Sequence, residues 1–359
     1  MKNMYKRFIC WFIIFLFILS GIVCSIVYKL DPLYVYKFKK NDYFYATERY
    51  QMPGLIKHMD YDTLFVGTSM GRNFLEPDAN KLLHTTSFNG SLPGSTAREQ
   101  NMTAQLATHS KTVKNIIWEL NLYSFSGKPE WVSEGASPFP TYMYDTNKLN
   151  DIQYLISPYS RKVALQNMKL KLDPTKSPQD PHWLYKFGDD EPKFSADIAK
   201  RVVDGTSHQS ISDGWYHEQM LKSFDSNIIE LVKQNPEVQF TFFYAPYPVT
   251  YHVVMDKNDS KHTKENMLFK KEVYTKLAQL KNVKLYDFQD QKEVTYNLSN
   301  YMSDQTHYYR YINDWIVKQL ATTEPITNKQ DYEQRLTNFS NEIRNFDTSK
   351  LVNSDERPK

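Results

Sequence analysis

The sequence predicts an α/β protein built on a parallel β-sheet and preceded by one N-terminal transmembrane helix. Two observations predict this. Short apolar runs alternate with stretches of helical spacing through most of the chain, which is the pattern of a parallel sheet with crossover helices. A separate, uninterrupted apolar stretch lies near the N-terminus. At 359 residues, the chain is long enough to bury a large core.

The apolar stretch covers residues 8–28, which is 21 residues without a charged side chain, and three basic residues precede it. This length crosses the hydrocarbon core of a bilayer as a helix, and it exceeds the apolar region of most cleaved signal peptides. We therefore expect an uncleaved single-pass anchor in the cell membrane, with residues 1–7 in the cytoplasm and the domain on the extracytoplasmic face. Basic residues also follow the stretch, so the charge pattern alone does not set this orientation.

Composition excludes several classes of function. The net charge of +3 is too small to indicate a nucleic-acid partner. Both cysteines, Cys10 and Cys24, lie inside the apolar stretch, so the rest of the chain has neither a disulfide framework nor a thiolate metal site. No spacing of His, Cys and carboxylate side chains is typical of a metal centre, and we expect no metal and no cofactor.

Strands and helices are predicted in alternation. Apolar and β-branched runs predict strands at residues 63–66, 86–88, 113–120, 238–244 and 283–288. The spacing of apolar residues predicts helices at residues 74–83, 97–109, 215–234, 264–280 and 308–321. Ligands bind at the carboxyl ends of the strands in open sheets of this kind. Ser69, Asn121 and Pro246 follow such ends.

The remaining segments flank or interrupt one α/β domain, which we expect over residues 61–325. A juxtamembrane segment at 29–60 precedes it, and a polar helical tail with a frayed charged end follows at 326–359. Residues 127–212 lack clear periodicity and are rich in Pro, Tyr, Asp and Lys. A structureless loop of this length is uncommon inside a compact domain, so we expect an insertion with helices of its own, serving as a lid or a docking surface.

The candidate nucleophile is Ser69. The first predicted strand leads into the glycine-flanked sequence Gly67-Thr-Ser69-Met-Gly71, and a polar stretch of helical spacing follows. A serine on such a corner between strand and helix stands clear of the sheet. The helix N-terminus behind it favours negative charge that develops during a reaction.

A serine hydroxyl needs a neighbouring base, and the base needs an orienting group. Asp304 and His307 are three residues apart, so on a turn both side chains can face the same way. The carboxylate would then accept the Nδ1 proton of His307, which leaves Nε2 free to take the proton of Ser69. The spacing alone also fits a simpler interpretation, in which one of nine histidines happens to follow an aspartate.

Acyl transfer also needs hydrogen-bond donors for the developing oxyanion. Gly94 opens the helix after the second predicted strand and is the first candidate for a backbone donor, with Gly90 as the alternative. Asn121 follows the third predicted strand and offers a side-chain amide. The backbone N–H of Ser69 completes the set. Taken singly, each glycine also fits an ordinary turn.

The order of these blocks resembles the SGNH (GDSL-like) hydrolase superfamily. Serine follows the first strand, glycine the second and asparagine the third, and Asp-x-x-His lies near the C-terminus. The resemblance covers about residues 61–320 outside the insertion, and it implies a flavodoxin-like three-layer sandwich. It also implies a role for each of five residues. Ser69 would be the nucleophile, His307 the general base and Asp304 the acid that orients it. Gly94 and Asn121 would form the oxyanion hole together with the N–H of Ser69.

Two blocks depart from the family pattern. The first reads Gly-Thr-Ser rather than Gly-Asp-Ser, and Glu-Leu-Asn121-Leu replaces the usual Gly-x-Asn-Asp. The glycine-flanked serine also fits the G-x-S-x-G elbow of α/β-hydrolases, but in that fold several strands precede the serine and the acid lies well before the histidine. Here Ser69 ends the first predicted strand and Asp304 lies three residues from His307. The SGNH interpretation is therefore favoured, and both imply acyl chemistry.

With its anchor, the chain resembles membrane-anchored SGNH-like proteins of Gram-positive cell envelopes, the type of the teichoic-acid D-alanyl transfer protein and related uncharacterised proteins. Residues 48–54 (ERYQMPG), the Gly-Thr-Ser-Met block and Asp304-x-x-His307 carry this resemblance. It implies a serine acyltransferase or esterase acting on acyl groups of an envelope glycopolymer, beside a multi-pass membrane O-acyltransferase. The alternative is a catalytically weak or inactive scaffold that binds such an acyltransferase. A lipid-directed esterase is a third hypothesis, suggested by the juxtamembrane aromatic residues.

Overall fold

The chain divides into two units. The computed structural model describes residues 2–39, 42–134, 138–188 and 190–358. The N-terminal unit comprises Met1–Met59 and Phe139–Leu184, and the sheet unit comprises Asp60–Pro138 and Tyr185–Lys359. The insertion expected at 127–212 is thus divided between the two units, and its residues 135–137 and 189 lie outside the described residues.

The sheet unit is organised around one parallel sheet. Its strands are β1 (Thr63–Val66), β2 (Ser87–Asn89), β3 (Asn115–Glu119), β4 (Gln239–Tyr244) and β5 (Val283–Asp287). They pair in the order β2-β1-β3-β4-β5, which is the flavodoxin-like order and places a ligand crevice between the carboxyl ends of β1 and β3. The predicted fold class is confirmed, and each predicted strand overlaps an observed one.

Helices flank the sheet within the sheet unit, and other helices belong to the N-terminal unit. The α-helices of the described residues are, in chain order, α1 (Lys2–Leu30), α2 (Glu48–His58), α3 (Glu76–Leu83), α4 (Ala97–Ser110), α5 (Leu122–Phe125), α6 (Ile152–Ile156), α7 (Pro158–Leu172), α8 (Ala196–Gly205), α9 (His217–Phe224), α10 (Glu230–Gln234), α11 (Val249–Asn258), α12 (Lys261–Leu277), α13 (Lys292–Thr295), α14 (Arg310–Thr322) and α15 (Lys329–Arg344). The helix predicted over 215–234 is one helical stretch, because a π-helical turn at Asp225–Ile229 joins α9 to α10.

Both faces of the sheet are buried, because side chains alternate along each strand. On one face, Phe65 and Phe243 pack in a cluster with Ile312 and Ile316 of α14. On the other face, Trp118 is fully buried and donates its indole N–H to Gln100 of α4 at 2.7 Å. Because both faces are buried, the strands appear in the sequence as continuous apolar runs. The sheet and the helices on its two faces make three layers.

The N-terminal unit contains the apolar helix α1. Its segment Met4–Leu30 is the one helix of the described residues that is long and apolar enough to cross a membrane. The chain turns at Asp31, whose carboxylate accepts the N–H groups of Tyr36 (2.8 Å) and Lys37 (2.7 Å) and the hydroxyl of Tyr154 (2.9 Å). Burial raises the pKa of Asp31, and these hydrogen bonds oppose that rise.

The C-terminal segment differs from the predicted frayed end. After α15, Val352 forms a parallel bridge with Asn297, and the N–H of Ser354 donates to Asn297 Oδ1 at 3.0 Å. Asp355 makes an ion pair with Lys193. Composition indicated a solvated tail, but backbone and side-chain partners supplied by distant residues hold the segment in place.

Candidate active site

The turn that carries Ser69 follows β1 directly. Gly67 and Thr68 connect the strand to a 3-10 helix, Ser69–Gly71. Thr68 caps this helix, because its Oγ1 accepts the N–H of Met70 at 3.3 Å. The N–H of Ser69 is the first of the helix and has no acceptor within it. It can therefore donate to a ligand.

Three of the predicted residues form a continuous chain of hydrogen bonds. The Oγ of Ser69 lies 2.7 Å from Nε2 of His307. Nδ1 of the same ring lies 2.6 Å from Oδ2 of Asp304. This is the geometry of a serine nucleophile, a base within reach of its proton, and a carboxylate that orients the base.

The loop around Asp304 is built to hold its carboxylate. Oδ1 accepts the N–H groups of Thr306 (3.0 Å) and His307 (2.9 Å), while Oδ2 faces the imidazole. Gln305 adopts a positive φ of 69°, which lets the chain turn within this short loop. Burial acts to raise the pKa of Asp304, but the hydrogen bonds from His307 and Thr306 outweigh it and hold the pKa below its ordinary value. The carboxylate is thus ionised where it faces the ring.

A separate set of contacts fixes the histidine loop to the serine turn. Tyr308 donates its hydroxyl proton to the carbonyl of Met70 at 2.8 Å, and Asn313 of α14 donates its amide to the same carbonyl at 2.9 Å. Tyr308 directly follows His307, and Met70 directly follows Ser69. The side chains of Ser69 and His307 are therefore held by neighbours in the chain as well as by their own hydrogen bond.

The turn after β2 also packs against the serine turn. The carbonyl of Gly67 accepts the N–H of Leu92 at 2.9 Å and the hydroxyl of Ser95 at 3.0 Å. Gly94, with a positive φ of 56°, lies between these two contacts in the chain. The alternative donor, Gly90, gives its N–H to the carbonyl of Phe65 at 2.9 Å, so that N–H belongs to the sheet and does not face a ligand.

Glu119 at the end of β3 is a residue of the site that sequence reasoning missed. Its side chain is fully buried and accepts the N–H of Thr68 at 2.7 Å and the hydroxyl of Thr68 at 3.0 Å. Gly67 permits this approach, because a Cβ there would lie 2.7 Å from Glu119 Oε2. Burial raises the pKa of Glu119, and the hydrogen bonds from Thr68 and Asn121 oppose that rise. The two departures from the family pattern, Thr68 and Glu119, thus contact each other.

Asn121 lies at this edge of the sheet, but its amide already has protein partners. Nδ2 lies 3.1 Å from Glu119 Oε1, 2.5 Å from the hydroxyl of Tyr247 and 3.3 Å from Oγ1 of Thr68. Its Oδ1 accepts the N–H of Tyr123 and caps α5. In this structure Asn121 supports the serine turn through Glu119 and Thr68.

Residues 185–188, part of the predicted insertion, lie against the serine turn, and we call them the strap. Asn73 and Phe187 exchange two hydrogen bonds, of 2.9 and 3.1 Å. Lys186 donates to the carbonyl of Phe74 at 2.7 Å, and burial lowers the pKa of Lys186 to about 8 while Glu76 opposes the change. The ring of Phe187 meets the ring of His307 edge-on at 5.2 Å between centroids. The strap therefore covers one side of the His307 ring.

Within the described part of the chain, no group of three or more His, Cys, Asp or Glu side chains is placed to hold a metal ion. What the arrangement offers chemically is a serine with a paired base, an ionised orienting carboxylate and backbone N–H groups. These are the elements of covalent acyl transfer.

Comparison with known proteins finds neither a matching family nor a curated relative. One solved structure from Streptococcus pneumonia, provisionally assigned as a platelet activating factor, is similar with a TM-score of 0.39 and 10% sequence identity, over 80% of this chain and 91% of that one. Similarity at this level does not indicate an activity.

Proposed function

We propose that the chain is a serine acyltransferase or esterase that acts through an acyl-Ser69 intermediate. One observation carries the proposal: the uninterrupted hydrogen bonds from Ser69 through His307 to Asp304, at 2.7 and 2.6 Å. His307 Nε2 takes the hydroxyl proton as Ser69 Oγ attacks the acyl carbonyl carbon. The same nitrogen then protonates the departing alkoxide, which leaves as an alcohol.

The second half-reaction reverses these roles. His307 removes a proton from an incoming alcohol or water, whose oxygen attacks the acyl carbon and releases Ser69, which recovers its proton. An incoming alcohol gives transfer and water gives hydrolysis. For the oxyanion we propose the N–H groups of Ser69 and Gly94, supported by the position of Ser69 at the start of its helix and by the contacts of Leu92 and Ser95 with Gly67.

We further propose that the substrate is an ester-linked acyl group of a cell-envelope glycopolymer and that the protein is anchored by α1 with the sheet unit outside the cell. The apolar helix α1 and the resemblance to anchored envelope proteins support this. Two exposed aromatic rings also support a sugar-containing substrate: Tyr123, two residues after Asn121, and Trp131, whose ring centroid lies 6.5 Å from that of Tyr123. Tyr123 is 44% exposed and Trp131 is 38% exposed, and amphipathic aromatic side chains suit contact with partly polar ligands.

A second candidate function is a scaffold without turnover that binds a multi-pass membrane O-acyltransferase. One observation favours it: the amide of Asn121, which the family resemblance assigns to the oxyanion hole, is engaged by Glu119 and Tyr247.

The two candidates differ in what Ser69→Ala does. If the protein is an enzyme, Ser69→Ala abolishes labelling by an acyl probe and changes the ester content of the envelope in cells that carry the variant. If it is a scaffold, Ser69→Ala leaves the ester content and the co-purification with the acyltransferase unchanged, and the wild type itself is not labelled. Unchanged ester content and unchanged acyl-probe labelling in both Ser69→Ala and His307→Ala would refute the enzyme.

A further inference from the structure

Helix α7 in the N-terminal unit has two contrasting faces. The face that packs into the unit consists of Ser160, Val163, Ala164 and Asn167. On another side of the helix, Leu165, Met168 and Leu172 are 60%, 44% and 81% exposed. Residues three and four apart lie on one side of a helix, so these three apolar side chains lie together on one side of α7.

The segment before α7 also exposes apolar side chains. In α6, Ile152 and Ile156 are 52% and 50% exposed, and Leu149 just before it is 87% exposed. Single exposed apolar residues are ordinary, whereas a group of them on two helices that pack together favours contact with another apolar phase. We call these six side chains the apolar stripe.

Exposed basic residues accompany the apolar residues on α7. Lys162 and Lys169 border them and Arg161 lies one turn before Leu165, whereas the ammonium of Lys171 pairs with Asp42 at 2.9 Å. Helix α7 has no acidic residue. Exposed apolar side chains next to exposed cations favour contact with the interface of an anionic bilayer.

The position of α6 and α7 agrees with this pattern. Both helices pack against α1. Val27, which belongs to the apolar stretch 8–28, is only 1% exposed, so part of α1 at the depth of the bilayer is covered by protein. Asn167 donates its amide to the carbonyl of Pro32 at 3.4 Å, and Tyr154 of α6 bonds to Asp31. The two helices therefore lie where α1 ends.

We propose that α6 and α7 lie in the headgroup region of the membrane that α1 crosses, with the apolar stripe against the acyl chains and the flanking cations on anionic lipid phosphates. The occupant of this surface is the lipid bilayer. The proposal rests on the anchoring role of α1 and is independent of catalysis. It gives the N-terminal unit two attachments to the membrane, which fix its orientation as one helix alone would not.

The test uses the full chain reconstituted into vesicles of phosphatidylglycerol and phosphatidylcholine. A bimane label at Leu165→Cys, in a chain that also carries Cys10→Ala and Cys24→Ala, reports on the apolar stripe. The control is the same label at Leu82→Cys in the sheet unit, because Leu82 is an exposed leucine at 42%. A label on the native Cys10, in a Cys24→Ala chain, reports separately whether α1 is inserted.

We expect a nitroxide-labelled lipid to quench the Leu165→Cys label as strongly as the Cys10 label, and aqueous iodide to quench neither. The Leu82→Cys label should show the reverse. Because interfacial helices bury their apolar face by about 5–10 Å, a nitroxide near the headgroup should quench Leu165→Cys more than one at the acyl terminus. Vesicles without phosphatidylglycerol should weaken quenching at Leu165→Cys but leave it unchanged at Cys10.

Quenching of the Leu165→Cys label by iodide while Cys10 is quenched by lipid would overturn the proposal and leave the anchor intact. A surface that docks another protein would give this result, because the vesicles contain this chain alone. Absence of lipid quenching at Cys10 would show that α1 is not inserted, and would overturn the anchor and this proposal together.

Discussion

The Oγ of Ser69 lies 2.7 Å from Nε2 of His307, although 238 positions separate the two residues in the chain. The flavodoxin-like sheet makes this possible, because β1 lies in its interior and delivers Ser69 to the edge where the late loops converge. Met70 is then fixed from the other side by Tyr308 and Asn313. The pair is therefore held by the fold as a whole.

Loss of the Glu119 carboxylate should destabilise the serine turn. Glu119→Ala leaves the N–H and hydroxyl of Thr68 without their buried acceptor, and each such group costs about 1–3 kcal/mol. We expect the free energy of unfolding to fall by about 3 kcal/mol in urea denaturation of the detergent-solubilised chain. The exposed residue Glu218 provides the control, because Glu218→Ala should change stability by less than about 0.5 kcal/mol. Equal stability of the two variants would contradict the role of Glu119.

The close approach of Gly67 and Glu119 gives a steric prediction. In Gly67→Ala the new Cβ would lie 2.7 Å from Oε2 and 2.8 Å from Cβ of Glu119. We expect a loss of about 1–3 kcal/mol in stability from overpacking, and reduced acyl-probe labelling because the displaced residue is two positions from Ser69. Gly205→Ala is the matched variant, since a Cβ there meets no atom within 4 Å. Normal stability and labelling in Gly67→Ala would show that the serine turn accommodates the added Cβ, and would contradict this prediction.

The buried carboxyl of Glu119 should leave a signature in the pH dependence of stability. Burial raises its pKa above the ordinary value of 4.5. At a pH between the ordinary pKa of the unfolded chain and the raised pKa of the folded protein, the folded protein holds a proton that the unfolded chain has released. The contribution of Glu119 to stability therefore falls as pH rises. Wild type should therefore lose more stability than Glu119→Gln as the pH rises above 4.5, measured by urea denaturation. Parallel curves for the two proteins would mean that Glu119 has the same pKa folded and unfolded.

Removal of the Phe187 ring should expose the base to water. Phe187→Ala takes away the edge-on contact with His307, and water then competes better for the acyl-enzyme. We expect a larger fraction of hydrolysis over transfer, measured with an active ester in the presence of an alcohol acceptor. Phe346→Ala, which removes a half-buried ring from the C-terminal segment, should leave this fraction unchanged. An unaltered fraction in Phe187→Ala would exclude the strap as a shield.

The strands, the serine turn and the Asp304–His307 loop each depend on local sequence, and for that reason they are predictable. A glycine-flanked serine after an apolar run predicts its own turn, and the three-residue spacing of Asp304 and His307 predicts that they face each other. The structure adds what spacing does not reveal. The contact of Glu119 with Thr68 spans 51 positions and depends on the pairing of β1 with β3.

Two other features escaped sequence reasoning for physical reasons. The strap comes from a segment without periodicity, where no hydrophobic pattern indicates which backbone groups will meet Asn73. Asn121 follows its strand as predicted, but a buried carboxylate two residues earlier takes its amide. The available signal was Glu119 itself, a charged residue inside the apolar run 116–120.

The central claim is that Ser69 is a nucleophile activated by His307, and labelling with a fluorophosphonate probe followed by mass spectrometry of the peptides tests it most directly. The controls are Ser210→Ala and His208→Ala, which replace exposed residues of the same types. We predict one adduct, on Ser69, which is lost in Ser69→Ala, slowed about 10²–10⁴-fold in His307→Ala and unchanged in the controls. A folded wild-type protein without an adduct on Ser69, or with an equal rate in His307→Ala, would contradict the account.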